Sequence, residues 1–255
     1  MRRPLTLIAV LGSMLLLEGC LYRRLTQTYH QLCDASPRIA LQASGDGRVL
    51  VFDEPTLLDT DVACLVGTAP TTTAATLEGK RWRYLASPLG SDGATDYTIL
   101  LELRFARVEG GYRLSRATLP VQLEQLLSPH LVDQSIAAAC NGELDLIRRI
   151  ARVDLSGIDR SWLPDRVSVI ELFGPPNAPA DATGALTWRY CVGRCGGGNG
   201  RGQLSEIRVV FDPSGRIEQV SLDYLQSSAL ANFAEGSGLV AFSGSIAGIV
   251  MNCGL

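Results

Sequence analysis

The stretch 163–225 repeats an earlier stretch, 57–119, and this repetition limits the chain more than any other feature. In the later copy Leu163-Pro-Asp-Arg-Val-Ser-Val-Ile-Glu-Leu-Phe173 has helical spacing and runs into Gly174-Pro175-Pro176. A polar loop leads to Leu186–Val192, a glycine loop to Leu204–Phe211, and the turn Asp212-Pro-Ser-Gly215 to Arg216–Leu222. The earlier copy has Leu57–Val66, Gly67-Thr-Ala-Pro70, Trp82-Arg83-Tyr84, Tyr97–Phe105, Gly110-Gly111 and Tyr112–Leu119. Trp82 to Trp188 is an offset of 106, as is Phe105 to Phe211, and Gly67 to Gly174 is 107. One offset held to within a residue over three landmarks marks a tandem repeat.

The pattern within each copy predicts its elements. Leu58, Val62, Leu65 and Val66 form one apolar stripe, ended by Gly67 in a left-handed cap and by Pro70. The second copy repeats the device with Pro164 near the first helical position, Val167 and Ile170 on one stripe, and Gly174-Pro-Pro as the stop. Leu186, Trp188, Tyr190 and Val192 alternate toward one face, matched by Ile207, Val209 and Phe211. Trp82 and Tyr84, with Ile99, Leu101, Leu103 and Phe105, do the same earlier. A sheet apolar on one face needs helical cover. The expected fold is α+β: two tandem units, each with helices packed on a three-stranded antiparallel sheet. The first unit is expected over 38–120. A helical connector and the second unit, with its core at 163–225 and an apolar tail, are expected over 121–255.

Outside the repeats, Ser44-Gly-Asp-Gly47 between Arg38–Leu41 and Arg48–Phe52 reads as a hairpin. Val121–Leu127 and Pro129–Ala139 have helical spacing, and Leu144–Val153 continues it less clearly. Gly238–Leu255, uncharged and laced with glycine and serine, reads as two short strands around Ser243-Gly-Ser245.

The N-terminus reads as an address. Arg2 and Arg3 precede an apolar run of 13 residues, Leu5–Leu17, too short to span a membrane. The ending Leu17-Glu18-Gly19-Cys20 resembles a bacterial lipoprotein signal, which implies cleavage before Cys20 and lipidation of that cysteine. An ordinary secretory signal is the alternative. On the lipoprotein reading 1–19 is signal, 20–37 a tether, and Leu21 points to the outer membrane. Without Arg2, Arg3 and Glu18, the 23 basic and 26 acidic residues become 21 and 25, net −4. That balance argues against a nucleic-acid partner.

Six cysteines remain in the exported chain: Cys33, Cys64, Cys140, Cys191, Cys195 and Cys253. An even set in an oxidising compartment predicts disulfides. The expected pairs are Cys33–Cys64, Cys191–Cys195 and Cys140–Cys253. No second close pair or nearby histidine completes a metal set around Cys191 and Cys195, so no metal and no cofactor is expected. His30 and His130 stand in no nucleophile arrangement, and Gly196–Gly202 lacks the lysine and hydroxyl of a phosphate loop. Catalysis is not expected.

Asp165–Leu222 resembles the BamE/OmlA (SmpA) family of outer-membrane lipoproteins. The matching motifs are the helix ending in Gly174-Pro-Pro, Trp188-Arg-Tyr190, and Val209-Val-Phe211-Asp-Pro-Ser-Gly215-Arg-Ile. The resemblance implies a helix pair on a three-stranded sheet and a non-enzymatic role in β-barrel assembly. The family has one copy of this unit where the present chain has two. That duplication is similar to β-lactamase-inhibitor-protein-like folds, which grip an enzyme.

Strand alternation places a second set of residues opposite the aromatics: Arg81, Arg83, Glu102, Arg104 and Arg113, then Arg189, Glu206, Arg208 and Gln219. A solvated face of weak Arg–Glu pairs accounts for them. An arginine-lined docking surface for carboxylates or phosphates is the sharper reading. The sequence thus leads to a lipid-anchored, periplasm-facing envelope protein acting as a binding or scaffold module with an envelope-protein partner. The alternative is an inhibitor or binder of a secreted enzyme.

Overall fold

The aromatic-bearing strands are buried on one side and polar on the other, and they also pair beyond their own meanders. The computed structural model describes residues 21, 23–34, 38–44, 47–90, 97–120, 128–145, 148, 150–179, 183–193, 203–224 and 227–242. Its strands are β1 (Ile39–Ser44), β2 (Gly47–Phe52), β3 (Thr72–Thr76), β4 (Gly79–Pro88), β5 (Ile99–Val108), β6 (Gly111–Thr118) and β7 (Glu143–Asp145). There follow β8 (Ile150–Asp154), β9 (Leu186–Val192), β10 (Gln203–Phe211), β11 (Ile217–Tyr224), β12 (Ser227–Asn232) and β13 (Ser237–Phe242). The helices are α1 (23–33), α2 (Asp59–Val66), α3 (Pro129–Cys140) and α4 (Arg166–Phe173), with a 3-10 turn at Arg160–Trp162.

All 13 strands belong to one antiparallel sheet, in the order β1-β2-β6-β5-β4-β9-β10-β11-β12-β13-β8-β7, with β3 also on β4. This corrects the expectation of two separate three-stranded sheets under helices. The meanders β4-β5-β6 and β9-β10-β11 are joined edge to edge: Ala86 pairs with Val192, Ser87 with Cys191 and Pro88 with Tyr190. Leu89 N–H donates to Arg189 O at 2.8 Å and Gly193 N–H to Leu85 O at 3.0 Å, extending the seam at both ends. An unpaired strand edge is a ladder of unsatisfied donors and acceptors, and pairing two of them removes both liabilities.

One side of this sheet carries two cores. Leu57, Val62, Trp82, Tyr84, Leu103, Phe105 and Leu114 form the first. The second is larger and is centred on Val169, Phe173, Trp188, Tyr190 and Val209. In α4, Asp165 caps the start, its carboxylate accepting Ser168 N–H at 2.8 Å. Val169 and Phe173, one turn apart, are the buried pair, whereas Val167 is 63% exposed. The expected Val167/Ile170 stripe is therefore rotated: Ile170 packs at the core margin and Val167 faces water. In α2, Val62 is buried and Leu65 lies outside. Gly67 takes the left-handed cap (φ 66°) and donates to Ala63 O. Gly174 also has positive φ, 78°, and a Cβ there would lie 2.6 Å from the Tyr97 ring.

Three further expectations are corrected. Within the stretch expected as a tether, 20–37, residues 23–33 form α1, which packs on the first half. Arg24 forks onto the buried carboxylate of Asp61 in α2 at 2.6 and 2.5 Å. Cys33 bonds to Cys140, at the end of α3, across 107 residues. That bond excludes the expected Cys33–Cys64 and Cys140–Cys253 pairs. Cys64 and Cys191 are also disulfide-bonded, while Cys20, Cys195 and Cys253 lie outside the described residues. Finally, 144–153 contributes strands, not helix. β8 is drawn onto β13 of the β12–β13 hairpin, Val153 pairing with Gly238. Residues 1–19, expected as a signal, Val121–Leu127, the glycine loop 196–202 and Ser243–Leu255 also lie outside the described residues.

Candidate functional site

Register decides which side chains share the outward face of the first meander. Trp82 pairs with Leu103 and Arg83 with Glu102; Trp188 pairs with Ile207 and Arg189 with Glu206. The Arg–Glu cross-strand pair therefore recurs in the same place beside each tryptophan. Along β5 and β10 the equivalence by register is an offset of 104. Phe105 sits opposite Lys80 and Val209 opposite Leu186. Val209, buried like Phe105, fills the corresponding core position, so Phe211 is not its structural counterpart.

Glu102 is 8% exposed and is the hub of the first face. Arg83 Nε donates to one carboxylate oxygen at 2.7 Å and Arg104 Nε to the other at 3.0 Å. Arg81 stands 3.9 Å away. Burial pushes the Glu102 carboxyl up, but hydrogen bonds from Arg83 and Arg104 and their charges outweigh it, holding the group below the ordinary carboxylate range.

Sequence reasoning missed Arg116. From Leu114, simple alternation would turn Arg116 inward. The β5–β6 register shifts between Arg104 and Phe105, so Leu114 pairs with Phe105 but Arg116 pairs with Arg104. Ser115 is the extra residue, and such a bulge reverses the facing of the residues beyond it. Arg81 pairs with Arg104 from the other side. Three arginines, Arg81, Arg104 and Arg116, thus stand in a row across β4, β5 and β6. With Arg83 on β4 and Arg113 on β6, which pairs with Ala106, they make five cations against one carboxylate on the outward positions of these strands, in a chain whose net charge is −3. Like charges directly opposite one another on a sheet oppose pairing.

The other predicted face residues separate from this row. Arg189 pairs with Glu206 at 2.8 Å, and Asp223 lies across from Glu206. Arg208 donates to Thr183 Oγ1 at 3.0 Å. The second meander is therefore charge-balanced. Arg113 donates to the Pro55 carbonyl at 3.2 Å, beside α2. The two histidines are exposed: His30 meets Tyr29 edge-on, and His130 lies 5.1 Å from the Trp162 ring.

Lys80 belongs to the opposite side. Its ammonium lies 4.4 Å from the Trp82 ring centroid and 4.6 Å from that of Tyr112, and it pairs with Asp59. This cation is held within the fold. Among the described residues, no group of His, Cys, Asp and Glu is arranged to hold a metal ion. Compared with protein families, characterised proteins and solved structures, the chain matches none.

Proposed function

We propose that the chain is a lipid-anchored cell-envelope protein that serves as a non-catalytic docking module, meeting an acidic envelope-protein surface through its first meander. The observation that carries this reading is the row Arg81–Arg104–Arg116. Adjacent guanidinium groups weaken a sheet when alone and become favourable when an anionic surface supplies carboxylates for their forked donors. Glu102 takes part of that charge and orients Arg83 and Arg104. The anchor rests on the lipoprotein-like ending at Cys20, and the BamE-like motifs of Asp165–Leu222 agree with an envelope setting.

The test is crosslinked capture of membrane partners by wild type and by Arg81→Glu/Arg116→Glu, after circular dichroism has established that the variant folds. Capture should fall several-fold in the variant and in wild type at raised salt. Arg189→Glu/Arg208→Glu should change it less. Equal capture by all three proteins at low salt overturns the docking face. The anchor is tested separately, by fractionating Cys20→Ala and by searching for acyl mass on the wild type.

A further inference from the structure

We infer that the space between α1, α3 and the β1–β2 hairpin is a binding site for a fatty-acyl chain. It is an open cavity of about 460 Å³, within the roughly 300–1,000 Å³ typical of small-molecule sites. Its walls are mainly aliphatic, with Leu25 and Leu32 from α1, Leu41 and Leu50 from the hairpin, and Val132 and Ile136 from α3, beside the rings of Tyr29 and Phe52. These six aliphatic side chains are only half-buried, so hydrocarbon lines a space that water can reach. Covering that surface with an apolar ligand is favourable in proportion to the area removed from water.

The polar groups define the ligand by being occupied. Thr28 and Tyr29 carry the only side-chain hydroxyls among the described lining residues. Thr28 Oγ1 donates to Arg24 O at 2.8 Å and lies 2.7 Å from Thr56 Oγ1. Tyr29 OH donates to Ala139 O at 3.1 Å. Both hydroxyl protons are committed within the fold, so neither group donates to a ligand, and the occupant is held by its apolar part while its polar end stays at the mouth. The walls are mostly branched aliphatic side chains, which suit a flexible chain better than a flat ring system.

The cavity is also braced. Cys33–Cys140 ties the C-terminal ends of its two helices together, and the Arg24–Asp61 fork fixes the first turns of α1 to α2. The helices are thereby held against sliding into the space. The site is separate from the arginine row, and its assignment does not depend on the anchor.

The experiment uses residues 21–255, exported behind a non-lipoprotein signal so that disulfides form, then stripped of lipid. Hexadecanoate is titrated against a bound dansyl-labelled fatty acid. One saturable site is expected, with affinity rising roughly tenfold for every two carbons from octanoate to dodecanoate. Leu50→Trp and Ile136→Phe fill the cavity and should weaken binding tenfold or more. Val132→Phe replaces either variant that fails to keep the wild-type circular dichroism. Glycerol 3-phosphate should not compete. Repeating the titration on lipidated wild type separates the sources: blocked uptake identifies the protein's own acyl chain as resident, and unchanged uptake an exchangeable lipid. Either result supports an acyl site. Absence of saturable uptake, equal binding by the filled variants, or stronger displacement by a sterol or quinone overturns it.

Discussion

Ala86 lies opposite Val192 across the β4–β9 seam, and the two are separated by the same 106 residues that separate Trp82 from Trp188. An antiparallel pair formed by equivalent positions of two copies is a local two-fold axis, the arrangement seen when identical subunits pair through one edge. The exchange extends into the interior. Ala86, from the first copy, packs against the core around Trp188, and Val192, from the second, against the core around Trp82. Tyr224 OH donates to Val66 O at 2.6 Å, a further link between the halves.

Because each half lends a side chain to the margin of the other's core and the two share one sheet, they should unfold together. Trp82→Phe and Trp188→Phe each leave the other buried tryptophan as a fluorescence reporter, beside the more exposed Trp162. Within each variant, fluorescence and far-ultraviolet circular dichroism should give one urea midpoint. Separate transitions in either variant would show that the seam couples the halves weakly.

Trp188 is fully buried, and its indole N–H donates to Gly174 O at 2.9 Å. Trp188→Ala should cost about 3–5 kcal/mol by opening a large cavity. Denaturant unfolding measures this. A loss below about 1 kcal/mol is incompatible with such a core position.

Cys33–Cys140 closes a long loop, with a sequence separation of 107. On the chain-entropy model the Cys33→Ser/Cys140→Ser pair should lose roughly 4–5 kcal/mol of stability. Peptide mapping without reductant should recover Cys33 joined to Cys140. Recovery of Cys33 joined to Cys64 would contradict the packing of α1 on α3.

The helix stops, the β1–β2 hairpin and the outward placement of Arg83 and Arg104 were legible because each rests on local spacing. The single sheet was not. Pairing of β4 with β9 joins residues about a hundred positions apart, and nothing in either strand's own alternation specifies an edge partner. Arg116 was hidden for a similar reason, since one extra residue at Ser115 reverses the facing that period-two reading assigns. α1 was obscured by position: a short stretch after an expected signal reads as a tether until Arg24 finds Asp61. The cavity has no local signature at all, being assembled from segments spread from Leu25 to Ile136.

Glu102 supplies a pH test. Its folded carboxyl titrates below the ordinary value of 4.5 because hydrogen bonds from Arg83 and Arg104 outweigh burial. It therefore contributes stability that is present above the unfolded pKa and lost as pH falls through the lower folded pKa. Glu102→Gln should be less stable than wild type at pH 7, and the gap should narrow as the medium is acidified below about pH 4.5. Unfolding free energies across that window measure it. A gap independent of pH would assign the loss to packing alone.

The equivalent tyrosines Tyr84 and Tyr190 should respond in opposite ways to loss of their hydroxyls. Each is almost wholly buried, and burial raises both phenol pKa values, with Tyr224 adding to the effect at Tyr84. Tyr190 OH donates to Phe173 O at 3.3 Å, tying β9 to the end of α4. Among the described residues, the buried Tyr84 hydroxyl has no hydrogen-bond partner. A satisfied buried hydroxyl contributes about 1 kcal/mol, whereas an unsatisfied one carries a desolvation penalty. Tyr190→Phe should thus destabilise by about 1 kcal/mol, and Tyr84→Phe should be neutral or stabilising. Because the two positions share strand context and core-facing register, the contrast isolates the hydrogen bond from ring packing. Equal losses in urea unfolding would mean that Tyr84 has a partner in solution.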